Sequence, residues 1–390
     1  MRASCELCHH ESLAQVYEPE RSTRGLKIHL CQHCGLVQSL PRIDRAPRGN
    51  AAVSGGADWG NVRYGKAFRT QAALDALARH TDFTRPVSLL DVGSNRGSFV
   101  KAFLDATPDS QIVALEPDER VAHSCAGLER TDLIVSRIED AALESDRFDI
   151  IHSCHTIEHL AHPQDTLADH WRTLRTGGLL VLDAPNIAIL DSDDIIEEWF
   201  IDKHLYHFSA RTLIRMVRAA GFDIIEAPDA NDRANLLIVA RKSGKAVRAN
   251  EDDPLEVAES ERLVAAYGST RARNLSALTA LAAEIAQMAP KGVAMWGAGR
   301  LFDSLVTHGG FEPAMLSSLI DKHLKQYVGE RHGRALDAPE ALAKTDPGVV
   351  IVMSRGFAKE IAEEAKSLAP RAEIVFYSDL MARARIAQAA

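Results

Sequence analysis

The sequence of 390 residues predicts an α/β protein built from three parts. Four of its six cysteines fall within the first 34 residues, which indicates a separate N-terminal unit. Beyond residue 60, strand-like apolar runs alternate with helical stretches, a pattern typical of a parallel, doubly wound sheet. A second α/β unit begins at Gly292 with a strand, a glycine turn and a helix, and it follows a polar linker and a long helical stretch. We therefore expect domains over residues 1–45, 60–245 and 255–385.

Composition and charge limit the partners and the compartment. Hydrophobic residues make up 46% and charged residues 25% of the chain, a balance typical of globular proteins. The net charge of -9 gives no overall attraction to nucleic acid or to an anionic membrane, and we expect neither as a partner. No apolar run approaches the roughly 20 residues that span a bilayer, and the first residues lack a secretory pattern. We expect a cytoplasmic protein with reduced thiols.

The N-terminal cysteines form two C-x-x-C pairs, Cys5 with Cys8 and Cys31 with Cys34. Each pair can bring two thiolates to one metal ion, and two pairs complete a tetrahedron. The interval between the pairs is close to that of zinc ribbons, whereas a reducing compartment disfavours the competing disulfides. We predict a structural Zn²⁺ site in a ribbon over residues 1–45. Four thiolate ligands leave no coordination position for a catalytic water.

A glycine loop stands between a predicted strand and a predicted helix in Leu89–Phe99, with the sequence LLDVGSNRGSF. Gly93 allows a sharp turn and a close approach of a ligand, and Gly97 begins a helix with free N–H groups. Asp91 ends the strand, where its carboxylate can accept hydrogen bonds. Glu116 ends the next strand, where an acid typically binds ribose hydroxyls. The pattern D-x-G-x-x-x-G differs from the G-x-G-x-x-G of dinucleotide enzymes.

On these residues the sequence resembles the class I methyltransferases, in which such a loop holds the methionine part of S-adenosylmethionine. Three further segments carry the resemblance: SCHTIEHL at 153–160, RTGGLLVLDAPN at 175–186 and HLYHFSARTLIRMVRAAGF at 204–222. The resemblance implies a Rossmann-like core and an S-adenosylmethionine-dependent enzyme. The residues expected to bind the cofactor are Asp91, Gly93, Ser94, Asn95, Gly97, Glu116, Pro117 and His155.

The order of the three parts is similar to that of the zinc-containing sugar C-methyltransferases. Segments of the outer parts carry this likeness: CQHCGLVQS at 31–39, VAMWGAGRLFDSLV at 293–306 and LIDKHLKQYVGE at 319–330. Those enzymes methylate nucleotide-linked 4-keto deoxysugars, and their C-terminal, Rossmann-like domain helps to hold the nucleotide. The resemblance implies a small-molecule acceptor, a nucleotide sugar of deoxysugar biosynthesis.

Carbon methylation beside a ketone requires a general base that removes a C–H proton. The family supplies a histidine preceded by glutamate, with a tyrosine two residues before that glutamate. Here His204 takes the histidine position, while Lys203 and Ile201 replace the other two residues. We expect His204 to be the base. The two replacements keep O- or N-methylation of a sugar, a glycan precursor or another small molecule open, because such transfer depends mainly on proximity and alignment.

The predicted C-terminal domain carries half of a dinucleotide fingerprint. Gly297 and Gly299 form a G-x-G turn and Asp321 ends the next strand, but Phe302 replaces the third glycine. Nucleotide binding and a purely structural turn both fit this pattern. Two other protein classes also stay open, a two-domain NAD-linked oxidoreductase and an adaptor that recruits RNA or protein through the zinc ribbon.

An acidic run, Asp191–Glu198, precedes Trp199 and Phe200. We interpret it as a solvated acidic helix, with a lid over the active site as the alternative. The sequence leaves the acceptor, the methylated atom and the oligomeric state open.

Overall fold

The computed structural model describes residues 3–20, 22–42, 66–107, 109–244 and 251–389. The stretch between the first two expected domains, residues 46–59, lies outside these residues. The chain divides into two compact units, with boundaries after Asp191, Trp199 and Ala265. The second unit therefore consists of residues 192–199 together with everything beyond residue 265. The three domain boundaries expected from the sequence stay predictions.

A small antiparallel sheet follows the first cysteine pair. Its strands are β1 (Leu13–Tyr17), β2 (Lys27–Cys31), β3 (Val37–Leu40) and β9 (Tyr206–His207), in the order β1-β2-β3-β9. Leu26, Ile28 and Leu30 are buried while Lys27 between them is exposed, which is the period of a strand with one covered face. Strand β9 comes from far along the chain and was not predicted.

The large sheet of the first unit has seven strands. They are β4 (Ser88–Val92), β5 (Gln111–Leu115), β6 (Thr131–Ile134), β7 (Phe148–Cys154), β8 (Leu174–Pro185), β10 (Phe222–Glu226) and β11 (Asn235–Lys242). Their order is β10-β11-β8-β7-β4-β5-β6, and β11 is antiparallel to both of its neighbours. The expectation of a fully parallel sheet is wrong at this strand. Residues 227–234 join β10 to β11 without a crossover helix, so the two strands pair as a hairpin.

Helices cover both faces of this sheet, as the Rossmann-like prediction requires. They are α1 (Lys66–Ala78), α2 (Ser98–Ala106), α3 (Glu119–Ala122), α4 (Pro163–Thr173) and α5 (Ala210–Ala219). Successive strand residues point to opposite faces, so Leu89 and Leu90 join two different apolar cores. Burial on both faces explains why the central strands read as continuous apolar runs.

Helix α6 (Pro254–Met288) begins in the first unit and continues into the second. Asp253 caps it by accepting a hydrogen bond from the Glu256 amide (3.2 Å). The Asp253 amide donates to the His33 carbonyl, and the Ser260 hydroxyl donates to the Gly35 carbonyl. The first part of α6 therefore packs against the turn of the second cysteine pair. No helix in the described part of the chain is both long and apolar enough to cross a bilayer.

The second unit contains its own four-stranded sheet, with the order β13-β12-β16-β17 and all pairs parallel. The strands of this sheet are β12 (Val293–Trp296), β13 (Ser318–Ile320), β16 (Val349–Val352) and β17 (Glu373–Phe376). Two further strands of the unit, β14 (Glu330–Arg331) and β15 (Arg334–Ala335), form a separate antiparallel hairpin. Its further helices are α7 (Arg300–Gly309), α8 (Ala341–Thr345), α9 (Ala358–Leu368) and α10 (Tyr377–Ala389). This α/β arrangement agrees with the predicted Rossmann-like unit.

The acidic run is not a solvated helix. After a 3-10 turn at Ile187–Asp191 the chain has no helical structure up to residue 199. Asn274 donates to the backbone carbonyls of Asp193 and Ile195 (2.8 and 2.9 Å). Arg355 pairs with the carboxylates of Asp194 and Glu197. Asp194, Glu197 and the backbone of residues 193–195 thus find partners within the second unit, which explains why residues 192–199 do not form an independent helix.

Candidate active site

At two positions in the loop between β4 and α2, the backbone has a conformation that only glycine adopts without strain. Gly93 has φ 78° and Gly97 has φ 72°. A Cβ atom at Gly93 would lie 2.4 Å from Thr156 Oγ1, and one at Gly97 would lie 2.7 Å from Cys125 Sγ. Space and backbone conformation therefore both demand glycine at these positions of the D-x-G-x-x-x-G pattern.

The backbone amides of this loop fasten it to the end of strand β5. The N–H groups of Gly93 and Ser94 donate to the Leu115 carbonyl oxygen, at 2.8 and 3.0 Å. The Gly97 N–H donates to the Ser94 carbonyl oxygen (2.9 Å), so it is not one of the free helix amides expected from the sequence. The loop is thus held in one form by its own hydrogen bonds.

Asp91 is buried beneath the loop and faces His152. Its Oδ1 lies 2.6 Å from His152 Nδ1, and the Phe99 ring stacks on the His152 ring with 3.5 Å between centroids. The other carboxylate oxygen, Oδ2, is buried and has no hydrogen-bond partner among the described residues. Buried polar atoms are generally hydrogen-bonded, so this oxygen is suited to accept a hydrogen bond from a ligand.

Glu116 connects the loop with the end of β5. Its Oε2 accepts a hydrogen bond from the Asn95 amide (2.8 Å), and its Oε1 accepts one from the Asp118 amide (2.9 Å). Burial raises the pKa of this carboxyl, and the two amides oppose that shift. A carboxylate offers about four lone-pair sites, so two remain for the hydroxyl groups of a ligand. Pro117, half-buried, follows in the turn.

His155 stands at the end of β7 with φ 50°. Its amide donates to the Asp183 carbonyl oxygen (2.8 Å), and its Nε2 lies 3.3 Å from Asn235 Oδ1. The thiol of Cys154 lies 3.5 Å from a carboxylate oxygen of Asp183, whose pKa is raised by burial. The ends of β7 and β8 therefore present polar groups at the same sheet edge as the glycine loop.

A second group of polar side chains, the histidine–glutamate cluster, consists of Glu158, His159 and His204. One ligand-type atom from each lies within 4.8 Å of the other two. Glu158 is 1% exposed, and its Oε1 lies 3.6 Å from His159 Nε2 and 3.7 Å from His155 Nδ1. Sequence reasoning singled out His204 but missed its carboxylate neighbour, although the spacing H-x-x-E-H at 155–159 was a signal.

The N-terminal sheet helps to hold the peptide that carries His204. The Ser39 hydroxyl of β3 donates to the His204 carbonyl oxygen (2.8 Å), and the Ser39 amide donates to the Leu205 carbonyl oxygen. The Leu205 amide in turn donates to the Glu158 carbonyl oxygen (2.7 Å). His204 is 6% exposed, so its ring is fixed among neighbours instead of lying in solvent.

The four N-terminal cysteines converge. Cys5 Sγ lies 3.5 Å from Cys34 Sγ, Cys8 Sγ lies 3.6 Å from Cys31 Sγ, and all four sulfur atoms lie within 4.8 Å of one another. The thiols are buried and form no disulfides. A tetrahedral Zn²⁺ with Zn–S bonds of about 2.3 Å separates its sulfur atoms by roughly 3.8 Å. The cysteines therefore fit a zinc ion.

The half fingerprint of the second unit has a structural explanation. The Asp321 carboxylate accepts a hydrogen bond from the Ala298 amide inside the G-x-G turn (3.0 Å). A Cβ atom at Gly297 would lie 2.5 Å from the Met353 carbonyl oxygen, so packing alone requires glycine there. Phe302, at the position of the third glycine, is fully buried. The turn is explained without a bound nucleotide.

Comparisons with known proteins agree with the geometry of the first unit. Residues 65–227 match a family model described as a methyltransferase domain. None of the curated proteins matches the sequence.

Among solved structures, the chain is similar to a putative S-adenosylmethionine-dependent methyltransferase from Listeria monocytogenes, with 16% identity, 46% of this chain and 100% of that chain covered, and a TM-score of 0.37. A methyltransferase from Mesorhizobium loti has 16% identity, coverages of 44% and 97%, and a TM-score of 0.36. A complex of the Trm112 activator with a putative methyltransferase from Haloferax volcanii has 16% identity, coverages of 46% and 92%, and a TM-score of 0.39.

The glycine loop, its two acids and the family match together define the class of protein. Residues 65–227 form a methyltransferase domain of the class I type. The prediction of a methyltransferase is thereby confirmed for this part of the chain.

Proposed function

We propose that this enzyme transfers the methyl group of S-adenosylmethionine to a nucleotide-activated sugar, at a carbon beside a 4-keto group. The observation that carries the proposal is the buried histidine–glutamate cluster close to the cofactor loop. Thr156, which contacts the loop at Gly93, lies two residues before Glu158. This closeness to the loop supports the proposal that the acceptor meets the methyl group beside the cluster.

The cofactor is held by the loop residues and the two acids. Asp91 Oδ2 would accept a hydrogen bond from the methionine ammonium group, and the remaining lone pairs of Glu116 would accept hydrogen bonds from the ribose hydroxyls. Gly93 and Gly97 let the cofactor approach the backbone. The other contacts are assigned to Ser94, Asn95, Pro117 and His155.

We place removal of the acceptor's proton at the histidine–glutamate cluster. His204 would take the proton from the carbon beside the ketone, and S-adenosylmethionine would supply the methyl group that this carbon accepts, with S-adenosylhomocysteine as the second product. In the resembled sugar enzymes a glutamate precedes the histidine, whereas Lys203 stands there in this chain. Glu158 supplies a carboxylate beside His204 from another part of the chain.

The nucleotide-sugar part of the proposal is supported by the order of the three parts along the chain. A cysteine quartet precedes the methyltransferase domain, and a parallel four-stranded α/β unit follows it. This order is similar to that of the zinc-containing sugar C-methyltransferases.

The position of the transferred methyl group tests the proposed reaction. The protein is incubated with ¹³C-methyl S-adenosylmethionine and a nucleotide-linked 4-keto deoxysugar, with the 4-hydroxy sugar as the matched control. We expect a carbon-bound ¹³C methyl group by NMR in the keto sugar and no product from the control. Label in neither sugar would reject the nucleotide-sugar proposal.

O-methylation of a sugar is the second candidate. The replacements Lys203 and Ile201 favour it, because a hydroxyl acceptor depends less on a base–acid pair than a C–H acceptor does. A methyl group on oxygen of the 4-hydroxy sugar in the same experiment would support this candidate over carbon methylation.

We also propose that Cys5, Cys8, Cys31 and Cys34 bind a structural Zn²⁺. Replacing Cys34 by serine is expected to remove one zinc per chain relative to the wild type, because one thiolate of the tetrahedron is lost. Turnover should fall as well, because β3 of the same sheet holds the His204 peptide through Ser39.

Metal analysis by mass spectrometry measures the zinc content of this variant. The Cys125→Ser variant, whose thiol lies outside the quartet, is the control and should keep its zinc. Equal zinc contents in Cys34→Ser and the wild type would contradict the assignment.

A further inference from the structure

We propose that the histidine–glutamate cluster of Glu158, His159 and His204 is a binding site for a divalent first-row transition-metal cation, distinct from the cysteine quartet. One nitrogen or oxygen atom of each residue lies within 4.8 Å of the others, and the side chains of Glu158 and His204 are buried. Two imidazoles and one carboxylate form a donor set that binds such cations and leaves coordination positions open.

The tautomer of His159 follows from its hydrogen bond. His159 Nδ1 lies 2.8 Å from the Lys203 carbonyl oxygen, which can only accept, so Nδ1 carries the proton. In the neutral ring Nε2 then presents its lone pair, and it lies 3.6 Å from Glu158 Oε1. A metal-binding histidine is commonly oriented in this way, by donating its other N–H to a carbonyl oxygen.

The separation of these two atoms suits a shared cation. Bonds of about 2.0–2.2 Å to nitrogen and oxygen place neighbouring ligand atoms roughly 2.8–3.6 Å apart, with octahedral geometry at the lower end and tetrahedral geometry at the upper end. The distance between Glu158 Oε1 and His159 Nε2 falls at the upper end of this range.

The burial of Glu158 favours a positive charge at the same place. At 1% exposure, an ionised carboxylate loses most of its hydration, a cost that a paired or metal-bound charge offsets. Nitrogen ligands favour transition metals over Mg²⁺ and Ca²⁺, which prefer oxygen. The site therefore fits a cation such as Mn²⁺, Fe²⁺ or Zn²⁺.

The role of the cation rests on the proposed function. An open coordination position can take the keto or hydroxyl oxygen of the acceptor, where a cation stabilises negative charge. While the cation is bound, His204 is its ligand and not a proton acceptor, so the cation is proposed only to bind this oxygen and no proton transfer is assigned to it. The metal site itself is defined by the geometry of the three residues and can be tested without any acceptor.

The test uses the full chain with zinc in the cysteine quartet and excess metal removed. Mn²⁺ is added without cofactor or acceptor, and free Mn²⁺ is measured by electron paramagnetic resonance. Thiolate sites bind Mn²⁺ poorly, so the probe reports on nitrogen and oxygen ligands. We expect the wild type to bind one Mn²⁺ per chain. In Glu158→Gln and His204→Gln the affinity for Mn²⁺ should be at least about tenfold weaker, because loss even of a residue that only supports a metal ligand weakens metal binding by that factor.

His162→Gln, a histidine change in the same region but outside the cluster, is the matched control and should bind Mn²⁺ like the wild type. Retained S-adenosylmethionine affinity shows that each variant is folded. Absence of stoichiometric Mn²⁺ binding in the wild type, or unchanged affinity in both folded cluster variants, would overturn the proposal. Methyl transfer to a nucleotide sugar is measured separately, so failure of the sugar assignment would leave the Mn²⁺ result standing.

Discussion

Replacing Gly93 by aspartate should abolish binding of S-adenosylmethionine. The left-handed backbone at φ 78° costs a residue with a Cβ about 1–2 kcal/mol. The new Cβ would also lie 2.4 Å from Thr156 Oγ1, so the loop or the end of β7 must shift. A third carboxylate would join Asp91 and Glu116 at the cofactor site. Together these effects exceed about 3 kcal/mol, and we expect affinity to fall more than about 100-fold by calorimetry.

Gly177→Asp provides the matched control for this change. Gly177 has the same φ of 78°, is exposed, and a Cβ there would meet no atom within 4 Å. This variant carries the same backbone strain and the same added charge away from the loop. We expect it to bind the cofactor normally, whereas normal binding by Gly93→Asp would refute the assignment of the loop.

His204→Ala should lose turnover while it keeps its affinity for S-adenosylmethionine. Positioned proton-transfer groups typically contribute 10²- to 10⁴-fold to rate, and we expect a loss in this range. The cofactor should still bind, because the loop and its acids, Asp91 and Glu116, do not depend on the His204 ring. Initial rates with the labelled cofactor and calorimetry measure the two quantities.

His162→Gln again serves as the control and should retain turnover, because its partner in the structure is Glu6 and not the cluster. A rate in His204→Ala equal to that of the wild type would remove His204 from the reaction. A parallel loss of cofactor affinity would show instead that His204 supports the fold.

The parts of the fold that local sequence patterns control were predicted well. Strands β5 and β17, for example, are short apolar runs between turn residues, which is the pattern by which a strand is recognised in a sequence. Strand β9 was missed because two residues carry no periodicity, and its pairing with β3 bridges Val37 and His207. The reversed direction of β11 follows from its hairpin with β10, which depends on loop length instead of strand composition.

The candidate site likewise contains one part that the sequence predicted and one part that it did not. The glycine loop could be read from the sequence because close packing at Gly93 and Gly97 imposes a residue type. The proximity of Glu158 to His204 could not be read, because the two meet only through tertiary contacts such as the Leu205 amide on the Glu158 carbonyl oxygen. The acidic run was misinterpreted for the same reason, since its partner Arg355 lies far along the chain.

A crystal structure with S-adenosylhomocysteine tests the central claim most directly. We predict the ribose hydroxyls within hydrogen-bond distance of Glu116, the amino-acid part over Gly93 and Gly97, and its ammonium group on Asp91 Oδ2. The sulfur atom should face the side of the loop on which Thr156 leads to Glu158. A ligand bound instead at the Gly297 turn of the second unit, with the first loop empty, would contradict the account.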